Sequence, residues 1–468
     1  MGYAQELSRR MSGFSNYAIS LSIICILAGG VTSFQVGFGS VGGAAIGIGW
    51  PVSCLFSLLV AATMAQVASA FPTAGGLYHW ASILGGRGWG WVTAWFNLAG
   101  LVTVVAAVNA GAWDFIVGAL QLQLGANATV FKAMGVTVIT FSQALFNHKG
   151  IRLTTRLTDF SGWWILIVSI ALMAALLAGA STLEFGRLVA FTNFSGVPPD
   201  APVFPRAESM GWLFALGMLL PAYTITGFDA SAHTSEETIG AAVNVPRGIV
   251  RSVLVSGVFG WLMLCAVVLA MPDLRQAAEQ GANVFYWTIN AVLPGGQARA
   301  LYLAIGLAQY FCGLAALTSA SRMVYAFARD GGLPAALRRI SPIARTPAVA
   351  IWVAAVTAVG FMVFVPYTAI AAVCVIFLYI SYVLPTVAGF FAHGRTWTAM
   401  GPWHLGRWYK PLAVVSVLFC VFLIVIGMQP PNQQAVWILG GAVGLLAVVW
   451  FGLERKRFPG PPRIKPPD

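Results

Sequence analysis

Of 468 residues, 59% are hydrophobic and only 9% are charged, against roughly 25% charged residues in a soluble globular domain. A water-soluble surface cannot be assembled from that composition, so lipid is the natural surrounding of this chain. The formal net charge of +12 would suggest nucleic acid in a soluble protein. Here Lys and Arg fall in loops between apolar runs, where a basic excess is what cytoplasmic loops of membrane proteins carry, so nucleic acid is not an expected partner.

Apolar runs long enough to cross a bilayer as helices, about twenty residues each, predict an all-α integral membrane protein with twelve transmembrane helices. They lie near 15–40, 46–70, 89–118, 128–147, 158–180, 209–233, 249–271, 298–327, 347–365, 368–392, 410–428 and 434–453. The first run is too long for a secretory leader and is followed by glycines and another span, so it reads as a retained helix. The segment Asn283 to Leu293 is apolar but too short to span, and reads as an external helix at the interface. This divides the chain into an N-terminal segment 1–14, ten helices over 15–392, two more over 393–453, and a tail 454–468. Five prolines and a polar composition mark that tail as a disordered cytoplasmic end.

An even number of spans puts both termini on one side. With that side inside, only Lys132, Arg187, Arg206, Arg275 and Arg299 of the 26 Lys and Arg face out. This asymmetry predicts cytoplasmic termini in a multi-pass protein of the plasma (inner) membrane. It also places Glu236, Glu237, Arg322 and Arg329 on the cytoplasmic face, as candidates for an inner gate. The six cysteines (Cys25, Cys54, Cys265, Cys312, Cys374, Cys420) lie within apolar runs without metal-ligand spacing and read as small buried hydrophobes. The five histidines are scattered, and HExxH, GxSxG and Walker-type loops are missing, so an enzyme or ATP-driven pump is not expected and no cofactor or metal is implied.

Two spans are irregular. Span 1 reads Ile26-Leu27-Ala28-Gly29-Gly30-Val31-Thr32-Ser33-Phe34, and span 6 carries Thr226-Gly227-Phe228-Asp229 at its middle. Glycine permits the backbone angles of an interrupted helix, and unwound backbone is tolerated in hydrocarbon only where it lines a cavity or is buried in protein. Freed amides can hold a carboxylate and freed carbonyls an ammonium, which describes a site for a small zwitterionic or cationic solute. Gly29 and Gly30 would equally serve close helix packing. The spacing of five spans between the two irregular helices is that of a five-plus-five inverted repeat with broken helices 1 and 6. A carboxylate within a span is costly, so Asp229 is expected to act: binding an amine, carrying a proton, or accepting hydrogen bonds that hold the break open.

These residues resemble the amino acid/polyamine/organocation (APC) superfamily of permeases, and within it the amino acid/choline transporter branch. The matching stretches are Ser69 to Trp80 after span 2, Gly227 to His233 with Ser235 to Thr238 at span 6, and Thr318 to Arg322 with Ala328 to Pro334 at the end of span 8. The resemblance covers nearly the whole chain. It implies a secondary active transporter that works by alternating access and carries amino acids, 4-aminobutyrate, choline, polyamines or related amines. By similarity, Ala28, Gly29, Gly30, Val31 and Thr32 would contact substrate, Thr226, Gly227 and Asp229 would complete the site, and Phe228 would close over it. Thr318 and Ser319 could present hydroxyls to a coupling ion beside the span 1 carbonyls. The chain departs from relatives in three places: Phe160 to Gly179 in span 5 contains no lysine, Gln66 stands where glutamate is expected, and His79 where tyrosine is expected. Proton coupling, sodium coupling and exchange all stay open, as do oligomeric state and direction. A nutrient sensor of the same fold is the alternative. A channel would need a continuous polar stripe, whereas the polar residues here cluster at the breaks.

Overall fold

The computed structural model describes residues 6–365 and 367–462; positions 1–5 and 463–468 of the expected terminal segments lie outside them. The described chain is helical, with two isolated bridge pairs as its only extended pairing. In order, the elements are α1 (Gly13–Ile24), α2 (Gly29–Thr32), α3 (Phe34–Val41), α4 (Trp50–Ala70), α5 (Leu77–Gly85), α6 (Arg87–Leu120), α7 (Ala128–His148) and α8 (Ile151–Gly179). There follow α9 (Met210–Gly217), α10 (Leu219–Thr224), α11 (Ala230–His233), α12 (Ala241–Ala270), α13 (Leu274–Ala278) and α14 (Val284–Val292). The chain ends with α15 (Gly295–Arg329), α16 (Ala348–Phe364), α17 (Tyr367–Ala392), α18 (Tyr409–Gly427) and α19 (Gln434–Val449).

Ten helical segments among the described residues are long and apolar enough to cross a membrane, and two shorter apolar helices accompany them at Met210–Thr224 and Ala348–Phe364. The polarity is inverted relative to a soluble protein. Large apolar side chains such as Val138, Trp163, Val356, Leu418, Trp437 and Val448 are exposed on the perimeter. Asn16, Asn97, Asn147, Asp229, Glu237 and Arg322 are fully buried. A bundle with an oily rim and a polar centre is an integral membrane protein, because intramembrane polar groups turn toward the protein interior.

The centre is built from α1, α6, α12, α15 and α17: α6 packs along α15 and α17, α12 along α4 and α1, and α1 also meets α8 and α15. α7 and α16 pack together beside them, while α18 lies against α4 and α17. Two short helices cap the ends. α5 packs against α6 and α17, and the expected external helix appears as α14, inserted between α3 and α15 with Phe285 and Ile289 buried.

The tail departs from expectation. Helical structure continues through Arg457, and Phe458 is fully buried, its ring near Phe327 and Tyr78. Arg87 secures it by donating to the carbonyls of Arg455 and Phe458. Disorder is the expectation over the whole of 454–468; up to Phe458 the chain is instead helical and held by one aromatic ring in an apolar slot.

Candidate functional site

The chain of span 1 is interrupted between α1 and α2. The break is one turn earlier than the glycines suggested: Cys25 takes φ +24°, and Gly29 and Gly30 are already helical. Gly29 is there for space instead. A Cβ on Gly29 would lie 2.6 Å from Thr224 Cα and 2.9 Å from the Tyr223 carbonyl, so span 1 touches span 6 backbone to backbone. Gly30 points elsewhere, its would-be Cβ an ordinary 3.6 Å from Met263 on α12. Carbonyls freed by the break are met from α15: Gln309 Nε2 donates to Leu27 O at 3.2 Å and the Cys312 thiol to Ile23 O at 3.2 Å.

Span 6 is interrupted between α10 and α11. Gly227 takes φ +84°, a left-handed conformation that favours glycine, and any Cβ there would collide with Ile23. Its N–H donates to the Tyr382 hydroxyl at 3.0 Å. Asp229, fully buried, accepts from the Tyr382 hydroxyl at 2.8 Å and from Asn97 Nδ2 at 3.0 Å, and lies 3.2 Å from His233 Nε2. Phe228 is buried with its ring 4.9 Å from that of Tyr382, and its carbonyl accepts from Ser20.

Between the two breaks lies a cavity of about 70 Å³ lined by Ala28, Gly29, Thr32 and Thr226 from the expected set. Ile23, Ile24, Ser33, Val104, Ala107, Val108, Tyr223, Gln309, Cys374 and Val375 complete it. Gly30, Val31, Gly227, Phe228 and Asp229 are not among its lining. Gln309 Oε1 is buried there with no hydrogen-bond partner among the described residues, and no lining residue is ionisable as an acid or base near neutral pH. Tyr223 is oriented by Asn432, which donates to its hydroxyl at 2.9 Å.

Below the cavity, toward the end of the bundle that carries the termini, the helices change character. On α6 the lining begins at Val104 while Asn97 binds Asp229; on α17 Cys374 and Val375 line it while Tyr382 binds Asp229; on α15 Gln309 lines it while Arg322 lies further along. In this lower layer Arg322 and Glu237 form a bidentate pair, both bonds 3.0 Å and both side chains fully buried. Arg329 and Glu236 form a second, at 3.1 and 3.0 Å. His79 and Tyr78 both meet Asp330 at 2.9 Å. Asn16 Nδ2 reaches Ser231 O, Thr234 and Thr238, sewing α1 to the lower half of span 6. The segment before α1 lies across the same face, with Arg10 and Met11 N–H on Glu237 O at 2.8 Å. All four sequence-derived gate candidates are thus brought into two pairs in one polar layer.

The two hydroxyls considered for an ion are separated in role. Thr318 lies within donating distance of Asn147 Oδ1 at 2.7 Å and Leu314 O at 2.8 Å, facing α7 rather than span 1. Ser319 is buried with its hydroxyl unpartnered among the described residues. Gln66 holds the loop before α18, accepting from Leu405 N–H at 2.7 Å. No group of three or more His, Cys, Asp and Glu able to hold a metal occurs among the described residues.

An oily bundle of helices, with a small cavity at two chain breaks and a layer of ion pairs beneath, is the form of a membrane permease. Known proteins agree: the amino acid permease family model matches residues 11–450, and the chain belongs to that family. It is similar to the amino-acid permease BAT1 of Arabidopsis thaliana and to a BAT1 homolog of Oryza sativa subsp. japonica, each 31% identical. Those alignments cover 98% of this chain and 95% and 94% of the relatives. It is also 28% identical to the GABA-specific permease of Saccharomyces cerevisiae over 98% of this chain and 84% of that protein. The protein is a transporter in the lipid bilayer, not an enzyme.

Proposed function

We propose that the protein is a secondary active transporter of small amino acids without net charge, 4-aminobutyrate included, that binds substrate in the cavity between the two helix breaks and works by alternating access. One observation carries the reading: a small cavity between the breaks, with no ionised side chain on its wall, and beneath it one fully buried ion pair beside a part-buried one. At about 70 Å³ it has room for on the order of five water-sized groups. A solute with uncompensated charge would have no counter-charge in that wall, whereas a zwitterion brings its own. This favours amino acids over choline and polyamines.

Within the site, Gln309 lines the cavity, and its Oε1, now buried against Gly111 without a partner among the described residues, would accept from the substrate ammonium once the side chain turns toward it. Asp229 is a less suitable amine ligand, because its oxygens already take Tyr382 and Asn97 and face His233; it holds the break.

The pairing of helices supports the inverted repeat. Counting spans in order, α4 with α12, α6 with α15 and α7 with α16 are spans 2 with 7, 3 with 8 and 4 with 9. Each pair maps onto itself when helix n is exchanged with n+5, the relation expected about a pseudo-two-fold axis, and an odd offset of five inverts the topology. We infer twelve spans, with α18 and α19 outside the repeat, cytoplasmic termini in the plasma membrane, and hence a state closed to the cytoplasm by Glu236, Glu237, Arg322 and Arg329. Counterflow in proteoliposomes with radiolabelled glycine, alanine, 4-aminobutyrate and choline tests this. Trans-stimulated uptake of at least one amino acid is expected; a protein that binds amino acids without flux would be a sensor, and selective choline counterflow would overturn the substrate assignment.

A further inference from the structure

His233 is buried and has two neighbours, both acceptors. Its Nδ1 lies 3.3 Å from the Ala74 carbonyl and its Nε2 lies 3.2 Å from Asp229 Oδ2. A neutral imidazole donates at one nitrogen and accepts at the other, so a neutral ring beside an ionised carboxylate cannot satisfy this arrangement. Two states can. Either the ring is an imidazolium donating at both nitrogens, or Asp229 is a carboxylic acid donating to Nε2 while Nδ1–H donates to Ala74. Both hold the same number of protons, one more than neutral histidine with aspartate.

We propose that Asp229 and His233 together form a proton-binding site that couples proton movement to substrate transport and to the inner gate. The inference rests on the transporter reading. The pair sits between the cavity and the gate. Above it, Asp229 Oδ1 takes the Tyr382 hydroxyl, which also accepts the N–H of Gly227, next to the cavity residue Thr226. Below it, residue Ala74 is held on both sides: its carbonyl faces His233, and its N–H donates to Glu236 Oε1 at 3.2 Å. Glu236 is the partner of Arg329. Gly76 clears the ground for the ring, since a Cβ there would stand 3.3 Å from it.

The other ionisable groups around the pair are committed elsewhere: Glu237 to Arg322, Glu236 to Arg329, and Asp330 to His79 and Tyr78. Tyr382 of α17 and Asn97 of α6 face it only as hydrogen-bond donors. When the pair releases its proton to cytoplasmic water, Asp229 stays as carboxylate and His233 as neutral ring with its remaining proton on Nε2. The Nδ1–H bond to Ala74 is then lost. The loop that also holds Glu236 is freed, so proton release and gate opening are one event. Span 5 offers no lysine for the purpose, and the dyad supplies an acid–base group without one.

The test uses purified full-length protein in liposomes, with membrane potential clamped at zero and radiolabelled glycine, alanine and 4-aminobutyrate as probes. With one proton per substrate, an inward gradient of one pH unit supports about tenfold accumulation. In H233Q the ratio of gradient-driven accumulation to that variant's own counterflow is expected to collapse toward one, which a merely structural role would not do because both would fall together. Wild-type counterflow without pH-driven accumulation, or full accumulation by H233Q, overturns the inference and leaves the transporter reading standing. Absence of all counterflow would instead remove the transporter reading. A second measurement is independent of substrate: ¹⁵N-histidine NMR of the wild type at pH 7, with the His233 signal identified by its loss in H233Q. A doubly protonated ring, or Nδ1–H with Nε2 accepting, supports the site. Nε2–H with bare Nδ1 overturns it.

Discussion

The two helix breaks meet the same problem with different chemistry. In span 1 the freed carbonyls are met by neutral groups of a neighbouring helix, the Gln309 amide and the Cys312 thiol, and no ionised group takes part. In span 6 the break is organised by a buried carboxylate with partners from α6, α17 and its own α11, plus a glycine with φ +84°. Neutral capping leaves the Gln309 Oε1 buried against Gly111 with no hydrogen-bond partner among the described residues, whereas the charged cap is saturated. On the proposed reading the difference separates duties: the cavity, lined from span 1 and from Tyr223 and Thr226 of span 6, takes the substrate, while the Asp229 cap supports the structure and, by our inference, carries the proton.

Substitutions that strike one break and not the other sharpen this contrast. The largest effect is expected from Asp229→Ala, which leaves Asn97, Tyr382 and His233 buried without their acceptor. Removing one partner of a buried charged pair costs about 3–5 kcal/mol, so the variant should melt far below wild type in detergent and show no uptake. Gly227→Ala comes next. A left-handed backbone costs a residue with Cβ about 1–2 kcal/mol, and the collision with Ile23 adds to it; uptake should be lost with the melting point lowered less than in D229A. Gly29→Ala should cost about 1–3 kcal/mol by overpacking against Thr224, while Gly30→Ala, with ordinary contact distances to Met263, should stay within about 0.5 kcal/mol and transport. Equal melting points for those two variants would show that the glycines are not distinguished by span 6.

Gln309→Ala should fold and reach the membrane, but weaken half-saturation about tenfold or more, as expected for a lost hydrogen bond to an ammonium. An unchanged half-saturation constant would remove Gln309 from the substrate site. The smallest effect belongs to Cys312→Ala, since its thiol is a weak donor and the Ile23 carbonyl loses little; unchanged uptake and a small fall in melting point are expected.

Much of this was legible before any coordinates. Spans announce themselves through apolar length, and the midspan carboxylate of Asp229 stands out because hydrocarbon tolerates it so poorly. Glu236, Glu237, Arg322 and Arg329 could be assigned to one face by counting loop charges. The break in span 1 was misplaced by a turn because glycine signals permission for irregular backbone, not its presence. Gly29 and Gly30 look identical in sequence, and only the approach of Thr224 tells them apart. Nothing local marked Phe458 as a buried plug.

What the sequence alone determined is what depends on neighbours along the chain: a membrane protein, its helices, the two irregular spans, and the side on which basic residues gather. Tertiary structure decided everything that depends on partners far apart in sequence. Asn97 and Tyr382 are ordinary polar residues in apolar runs until α6 and α17 bring them to one carboxylate, and Gln309 joins the cavity only because α15 crosses the span 1 break. Hydrophobic transfer is additive along a chain and can be read residue by residue. Hydrogen bonds among buried groups are directional, and exist only once the helices that carry them have been packed together.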